Sequence, residues 1–99
     1  MLNIEKKGDA PTLTLALTGR VDTTTAPELE AVIKQSLGGV TELNIDMAAL
    51  EYISSAGLRV LLSAQKRMNK QGSLVILNAN ESLMEIFEVT GFIDILTIR

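Results

Sequence analysis

The side chains of this sequence that could do chemistry stand in three short stretches: Gly19-Arg20-Val21-Asp22, Asn44-Ile45-Asp46 and Ser54-Ser55-Ala56-Gly57. The chain has no histidine and no cysteine. Histidine-based triads and thiolate nucleophiles are therefore excluded, and a zinc site would have to be built from carboxylates alone. Hydroxyls and carboxylates remain. Either Ser54 or Ser55 can cap a helix that begins here, its hydroxyl accepting a hydrogen bond from one of the first unpaired helix N–H groups. Gly57 permits close backbone approach in the first turn, at a helix-propensity cost of up to about 1 kcal/mol against alanine. Such a glycine after two hydroxyls suggests that something docks there. A hydroxyl at a helix start can also carry a phosphate without unfolding anything, because the helix dipole favours the added charge of about −1.5 to −2. The plain alternative is a serine cap and nothing more.

Asp22 and Asp46 are expected at or just beyond strand ends, where open α/β sheets carry their working residues; the alternative is a pair of solvated loop carboxylates. An aspartyl phosphoacceptor of the receiver type would need clustered acids to hold magnesium. The first strand has no adjacent acidic pair and no lysine ends the last one, so that chemistry is rejected. Neither paired carboxylates nor a glycine-rich phosphate loop is present. The expectation is a protein that is not an enzyme, without metal or cofactor, whose output is binding.

The elements that must position these residues follow from periodicity. Alternation over Leu2–Lys7 (β1) and over Thr12–Thr18 (β2), separated by Gly8-Asp9-Ala10-Pro11, predicts a hairpin. Thr25 with Glu28 has the spacing of a capping box, Pro27 sits in the first turn, and Leu29, Val32, Ile33 and Leu37 form the apolar stripe of a helix, α1, that Gly38-Gly39 stops. Glu42–Met47 alternates as a third strand, β3, with Asp46 near its end and a short apolar loop after it. A second helix, α2, spans Ser55–Gln71 with Leu58, Leu61, Leu62 and Met68 on one face and Ala64 at its edge. Ser73–Leu77 reads as a buried strand, β4. Asn80 caps a third helix, α3, that ends at Gly91, where Phe92 can fold back on Phe87, and Ile93–Ile98 reads as β5.

The order β1-β2-α1-β3-α2-β4-α3-β5 predicts an α/β fold, a mixed five-stranded sheet. Right-handed crossovers between sequentially added parallel strands put the helices on one face. The polar and threonine positions alternating with leucine in the early strands agree, since a sheet covered on both faces is apolar nearly throughout.

The run YISSAGLRVLL, preceded by LNIDMAAL and further upstream by GRVDTTTA, resembles the STAS domain, and in particular the small anti-sigma-factor antagonists of bacteria. The resemblance extends from about Asn3 to the end of the chain and implies one domain over residues 1–99. The family's hallmark is Asp-Ser-Ser-Gly or Asp-Ser-Thr-Gly ahead of the second helix, with the first hydroxyl residue accepting phosphate. Here the acceptor position is Ser55, with Ser54 as the alternative; Ser54 stands where the family has Asp and Ala56 where it has the second hydroxyl. The resemblance implies a phosphorylation-controlled switch. It would bind an anti-sigma factor with serine kinase activity when unphosphorylated and be released when Ser55 is phosphorylated, a serine phosphatase resetting it. The partner-binding residues so implied are Asp22, Asp46, Ser54, Ala56, Gly57 and Arg59, the last four residues after Ser55 and on its side of the helix. Another STAS role, as a subunit of a larger signalling assembly or an accessory to a lipid-transport complex, is the alternative.

With 46% hydrophobic and 21% charged residues the chain is globular rather than disordered, and its three aromatics leave an aliphatic core. No apolar stretch is long enough for a membrane span, and no signal peptide is evident, so a cytoplasmic protein is expected. The net charge of −3 argues against nucleic acid as the main partner. That charge is uneven: Arg59, Lys66, Arg67 and Lys70 lie between Ser55 and Gly72 with no acid among them, leaving −7 on the rest of the chain. Such an arc is either a solvated helix face or a binding surface.

Overall fold

A computed structural model describes residues 1–99. Its strands are β1 (Leu2–Asp9), β2 (Thr12–Val21), β3 (Glu42–Ile53), β4 (Ser73–Leu77) and β5 (Thr97–Ile98); its helices are α1 (Ala26–Ser36), α2 (Ser55–Gln71) and α3 (Glu81–Thr90). The strands form one five-stranded sheet in the order β1-β2-β3-β4-β5, with β1 antiparallel to β2 and every later pair parallel. This is the expected mixed α/β architecture.

Burial follows the alternation of the sequence. Leu13, Leu15 and Leu17 of β2 and Leu43, Ile45 and Met47 of β3 are at most 2% exposed. Their intervening neighbours, such as Thr14, Ala16, Asn44 and Asp46, are only half-buried. The helices thus cover one face of the sheet, where Leu29, Leu61, Met68, Leu83 and Phe87 complete an aliphatic core with a single fully buried aromatic. On α2, Leu58, Leu61, Ala64 and Met68 are buried as the period requires, Leu62 is half-buried, and Val60 and Gln65 join the buried face.

The caps of the later helices agree with the sequence. Ser54 caps α2 and Asn80 caps α3, its Oδ1 accepting from the Leu83 N–H at 2.9 Å. Gly91 adopts the left-handed conformation (φ 79°) that ends α3, and Phe92 lies half-buried against the core that contains Phe87.

Three expectations are corrected. The strand expected to end near Asp46 continues for seven more residues to Ile53, beside the second half of β2. Two register shifts, at Ala16/Thr18 and Gly19/Arg20, space its inward residues Leu50 and Ile53 three apart, which hides the strand from a period-two reading. The expected capping box is absent: Thr25 sits in the αR region and its hydroxyl makes no bond to the helix. Finally, the strand expected over Ile93–Ile98 begins instead as a 3₁₀ turn, Phe92–Asp94, followed by a turn at Ile95 and a bend at Leu96. The Phe92 carbonyl accepts from the N–H groups of Ile95 and Leu96, so only Thr97 and Ile98 reach the sheet.

Candidate functional site

The C-terminal ends of β2 and β3 lie side by side. Val21 pairs with Ile53, and the Ser54 N–H donates to the Val21 carbonyl at 2.8 Å. Asp22 and Ser54-Ser55 therefore leave the sheet together, one leading into α1 and the other into α2.

Asp22 organises the first of these exits. One carboxylate oxygen accepts from the Thr24 hydroxyl at 2.7 Å, the Thr24 N–H at 2.9 Å and the Thr25 N–H at 3.0 Å. These donors favour the charged form, the Thr24 hydroxyl most, and hold the carboxyl at about 2 against an ordinary 3.8. Thr25 locks the same corner from beneath: its hydroxyl donates to the Arg20 carbonyl at 2.9 Å and accepts from the Asp22 N–H at 2.8 Å. A threonine that reads as a helix cap is thus spent on the strand end.

At the second exit the Ser54 hydroxyl accepts from the Gly57 N–H at 3.4 Å, a long cap bond. Ser54 is half-buried and Ser55, at the first helical position, is exposed. Gly57 is buried, and the reason is internal. A Cβ there would stand 2.6 Å from both Val21 Cγ1 and Ile53 Cγ1, so the first turn of α2 rests directly on the two strand ends. The close approach that the sequence suggests for a docking partner is made by the protein's own core, and Gly57 serves the site from below rather than at its surface. Ala56 is half-buried and Arg59 exposed; both line an open cleft of about 230 Å³ shared with Thr23, Pro27 and Glu30 of the facing segment.

Asp46 is not brought to this place. It lies inside β3, eight residues before Ser54, which at about 3.3 Å per residue is on the order of 25 Å away. It points to the uncovered face of the sheet and accepts from Asn78 Nδ2 at 3.0 Å and from the Ala48 N–H at 3.0 Å. The Asn78 bond, then the Ala48 bond and the nearby Lys7 charge, lower its pKa. Asn78 itself holds a positive φ of 60° just beyond β4, so the carboxylate clasps a strained turn.

One pair went unseen in the sequence. On the uncovered face, the Arg20 guanidinium lies 4.7 Å from the centroid of the Tyr52 ring, one register step before the two exits. Arg20 and Tyr52 become neighbours only once β3 is known to run to Ile53.

The STAS domain family model matches residues 2–99, and the chain belongs to this family. It is 31% identical over 97 residues to the anti-sigma-B factor antagonist of Listeria monocytogenes, covering 95% of this chain and 84% of that protein. Among solved structures it is similar to an anti-sigma factor antagonist from Mycobacterium paratuberculosis, with a TM-score of 0.89 at 20% identity over 99% of this chain and 85% of that one. SpoIIAA of Bacillus, an anti-sigma factor antagonist, matches in its unphosphorylated form with a TM-score of 0.72 at 18% identity, over 100% of this chain and 87% of that one. Its phosphorylated form matches with the same score and identity over 98% and 91%. At these identities the structures establish the shared fold. No helix of the chain is long and apolar enough to cross a membrane.

Proposed function

We propose that this chain is an anti-sigma-factor antagonist working as a phosphorylation-controlled interaction switch, with Ser55 as the phosphate acceptor. Unphosphorylated, it binds an anti-sigma factor that is also a serine kinase; phosphorylated, it is released, and a serine phosphatase restores it. The observation that carries this reading is the division of labour between the two serines. Ser54 is half-buried with its hydroxyl engaged by the Gly57 N–H, and Ser55 is exposed at the first helical position with no side-chain hydrogen bond. The names of the relatives supply the partner class.

The chemistry belongs to the partner. A kinase holding ATP and magnesium places the γ-phosphorus in line with Ser55 Oγ; the new O–P bond forms, the bond to the β-bridging oxygen breaks, ADP departs and the hydroxyl proton passes to a kinase base. This chain contributes a hydroxyl on a rigid helix end and a surface to be recognised, and it catalyses nothing. A new phosphate at Ser55 sits at the positive end of the α2 dipole, with Arg59 one turn on. That exposed pair adds at most about 1 kcal/mol, so the charge acts at the interface and not on the fold. With partners of this kind, one consuming ATP and one governing a sigma factor, the working protein is cytoplasmic.

Incubation with a kinase-type anti-sigma factor and ATP, followed by fragment mass spectrometry, tests the assignment. Phosphate is expected on Ser55 and lost in Ser55→Ala. Phosphate on Ser54, or undiminished labelling of Ser55→Ala, overturns it.

A further inference from the structure

We infer that the basic stripe of α2 is a docking track for an acidic surface of the partner, and that phosphate at Ser55 cancels only the first charge of that track. The inference rests on the switch reading above and adds to it where the partner lies and which rate the phosphate changes.

At 100° per residue, Lys66, Arg59 and Lys70 all fall within about 60° of Ser55 around the helix. The phosphoacceptor and the three bases therefore form one line along α2, and all four are exposed. No acid occurs anywhere in the helix. The chain's ion pairs are Lys7 with Glu5 and Lys34 with Glu30, so none of the three bases is neutralised. Glu30 is the carboxylate that α1 presents to the groove beside Arg59, and Lys34 takes it up at 3.9 Å. Arg67 turns aside to donate to the Lys34 carbonyl at 3.5 Å. Lys66 and Lys70, spaced i,i+4, repel each other, an arrangement that a merely solvated helix gains nothing from.

An anionic lipid surface would also attract such a stripe, but interfacial helices add apolar side chains that enter the bilayer. The large exposed hydrophobics of this chain are Met1, Tyr52, Val89, Ile93 and Ile95, none of them on α2. An acidic protein surface fits the stripe better.

Distance divides the track. At 1.5 Å per residue Arg59 lies about 6 Å along the axis from Ser55, Lys66 about 16 Å and Lys70 about 22 Å. With a screening length of about 8 Å at physiological ionic strength, a phosphate on Ser55 offsets Arg59 and leaves the two lysines almost untouched. The lysines steer the partner in both states, and the phosphate loosens the contact once it has formed. Phosphorylation thus acts on the dissociation rate.

Stopped-flow association with a purified kinase-type anti-sigma factor, at about 20 mM and about 200 mM salt, tests this. Wild type, Lys66→Glu/Lys70→Glu, Ser55→Glu and the triple variant are compared, with circular dichroism as the check of folding and Lys66→Gln/Lys70→Gln in reserve. Charge reversal is expected to slow association about tenfold or more at low salt and far less at high salt, equally with Ser55 intact and in combination with Ser55→Glu. Ser55→Glu alone is expected to raise the dissociation rate and, at about 200 mM salt, where screening is shorter than the distance to the lysines, to leave the association rate unchanged. An unaltered association rate in the folded lysine variants overturns the track. So does a Ser55→Glu variant that associates as slowly as the charge reversal, or lysine-dependent binding to phosphatidylserine vesicles with no change toward the protein. If the wild type binds no anti-sigma factor, the switch reading fails and the track falls with it; binding without lysine dependence sinks the track alone.

Discussion

Asp22 and Asp46 carry the same group with the same electrostatic signature, a carboxyl lowered by hydrogen-bond donors, yet they stand at different kinds of corner. Asp22 gathers donors from the two residues immediately after the next one in the chain and shapes the exit that adjoins Ser54. Asp46 reaches across 32 residues to Asn78 and ties β3 to the end of β4, far from that exit. A depressed carboxyl therefore marks a corner rich in donors, and only the neighbourhood says whether that corner serves an interface or the fold. Here the Asp22 corner is the one that shares its strand end with Ser54.

The most severe way to break the comparison is to lift the first turn of α2 off the sheet. Gly57→Ala drives a methyl against Val21 and Ile53, each 2.6 Å away, and is expected to cost about 1–3 kcal/mol in urea unfolding. A variant as stable as wild type would mean that α2 does not rest on the strand ends. Next in size is the clasp. Asp46→Ala removes the acceptor of Asn78 and is expected to cost about 1 kcal/mol, below the usual range for a charged hydrogen bond because solvent screens it. It should leave phosphorylation of Ser55 unchanged, and a large loss of kinase labelling would move Asp46 back into the site.

The smallest effect is a pH dependence at Asp22. A folded pKa below the unfolded value contributes stability that is complete above the unfolded value and fades as pH falls through the folded one. For Asp22 that window runs from 3.8 down to about 2. The acid limb of a stability–pH curve should therefore be shallower in Asp22→Asn than in wild type over that window, with no difference near neutrality beyond a constant offset. A change of slope centred above pH 5 would contradict the donor arrangement around Asp22.

Much of this protein is written locally. Leucine at alternate positions of β2 and β3 determines which sheet face is buried, because side-chain direction in a strand reverses at each residue. Ser54, Asn80 and Gly91 mark helix ends through bonds and dihedrals that span three or four residues, and α2 begins and ends where its sequence says. The exposed Ser55 follows from the same local rule, since the residue after a serine cap starts the helix. What only the tertiary structure decided depends on partners distant in the chain. Pairing with β2 carries β3 on to Ile53, which puts Asp46 inside a strand, and the two register shifts in that pairing bring Arg20 opposite Tyr52. Nearer in the chain, Thr25 fails as a cap because its hydroxyl oxygen is taken by the Asp22 N–H and its proton by the Arg20 carbonyl, both held in place by the strand end. Gly57 is small because Val21, thirty-six residues earlier, lies under it, a contact that no period or cap in the sequence can express.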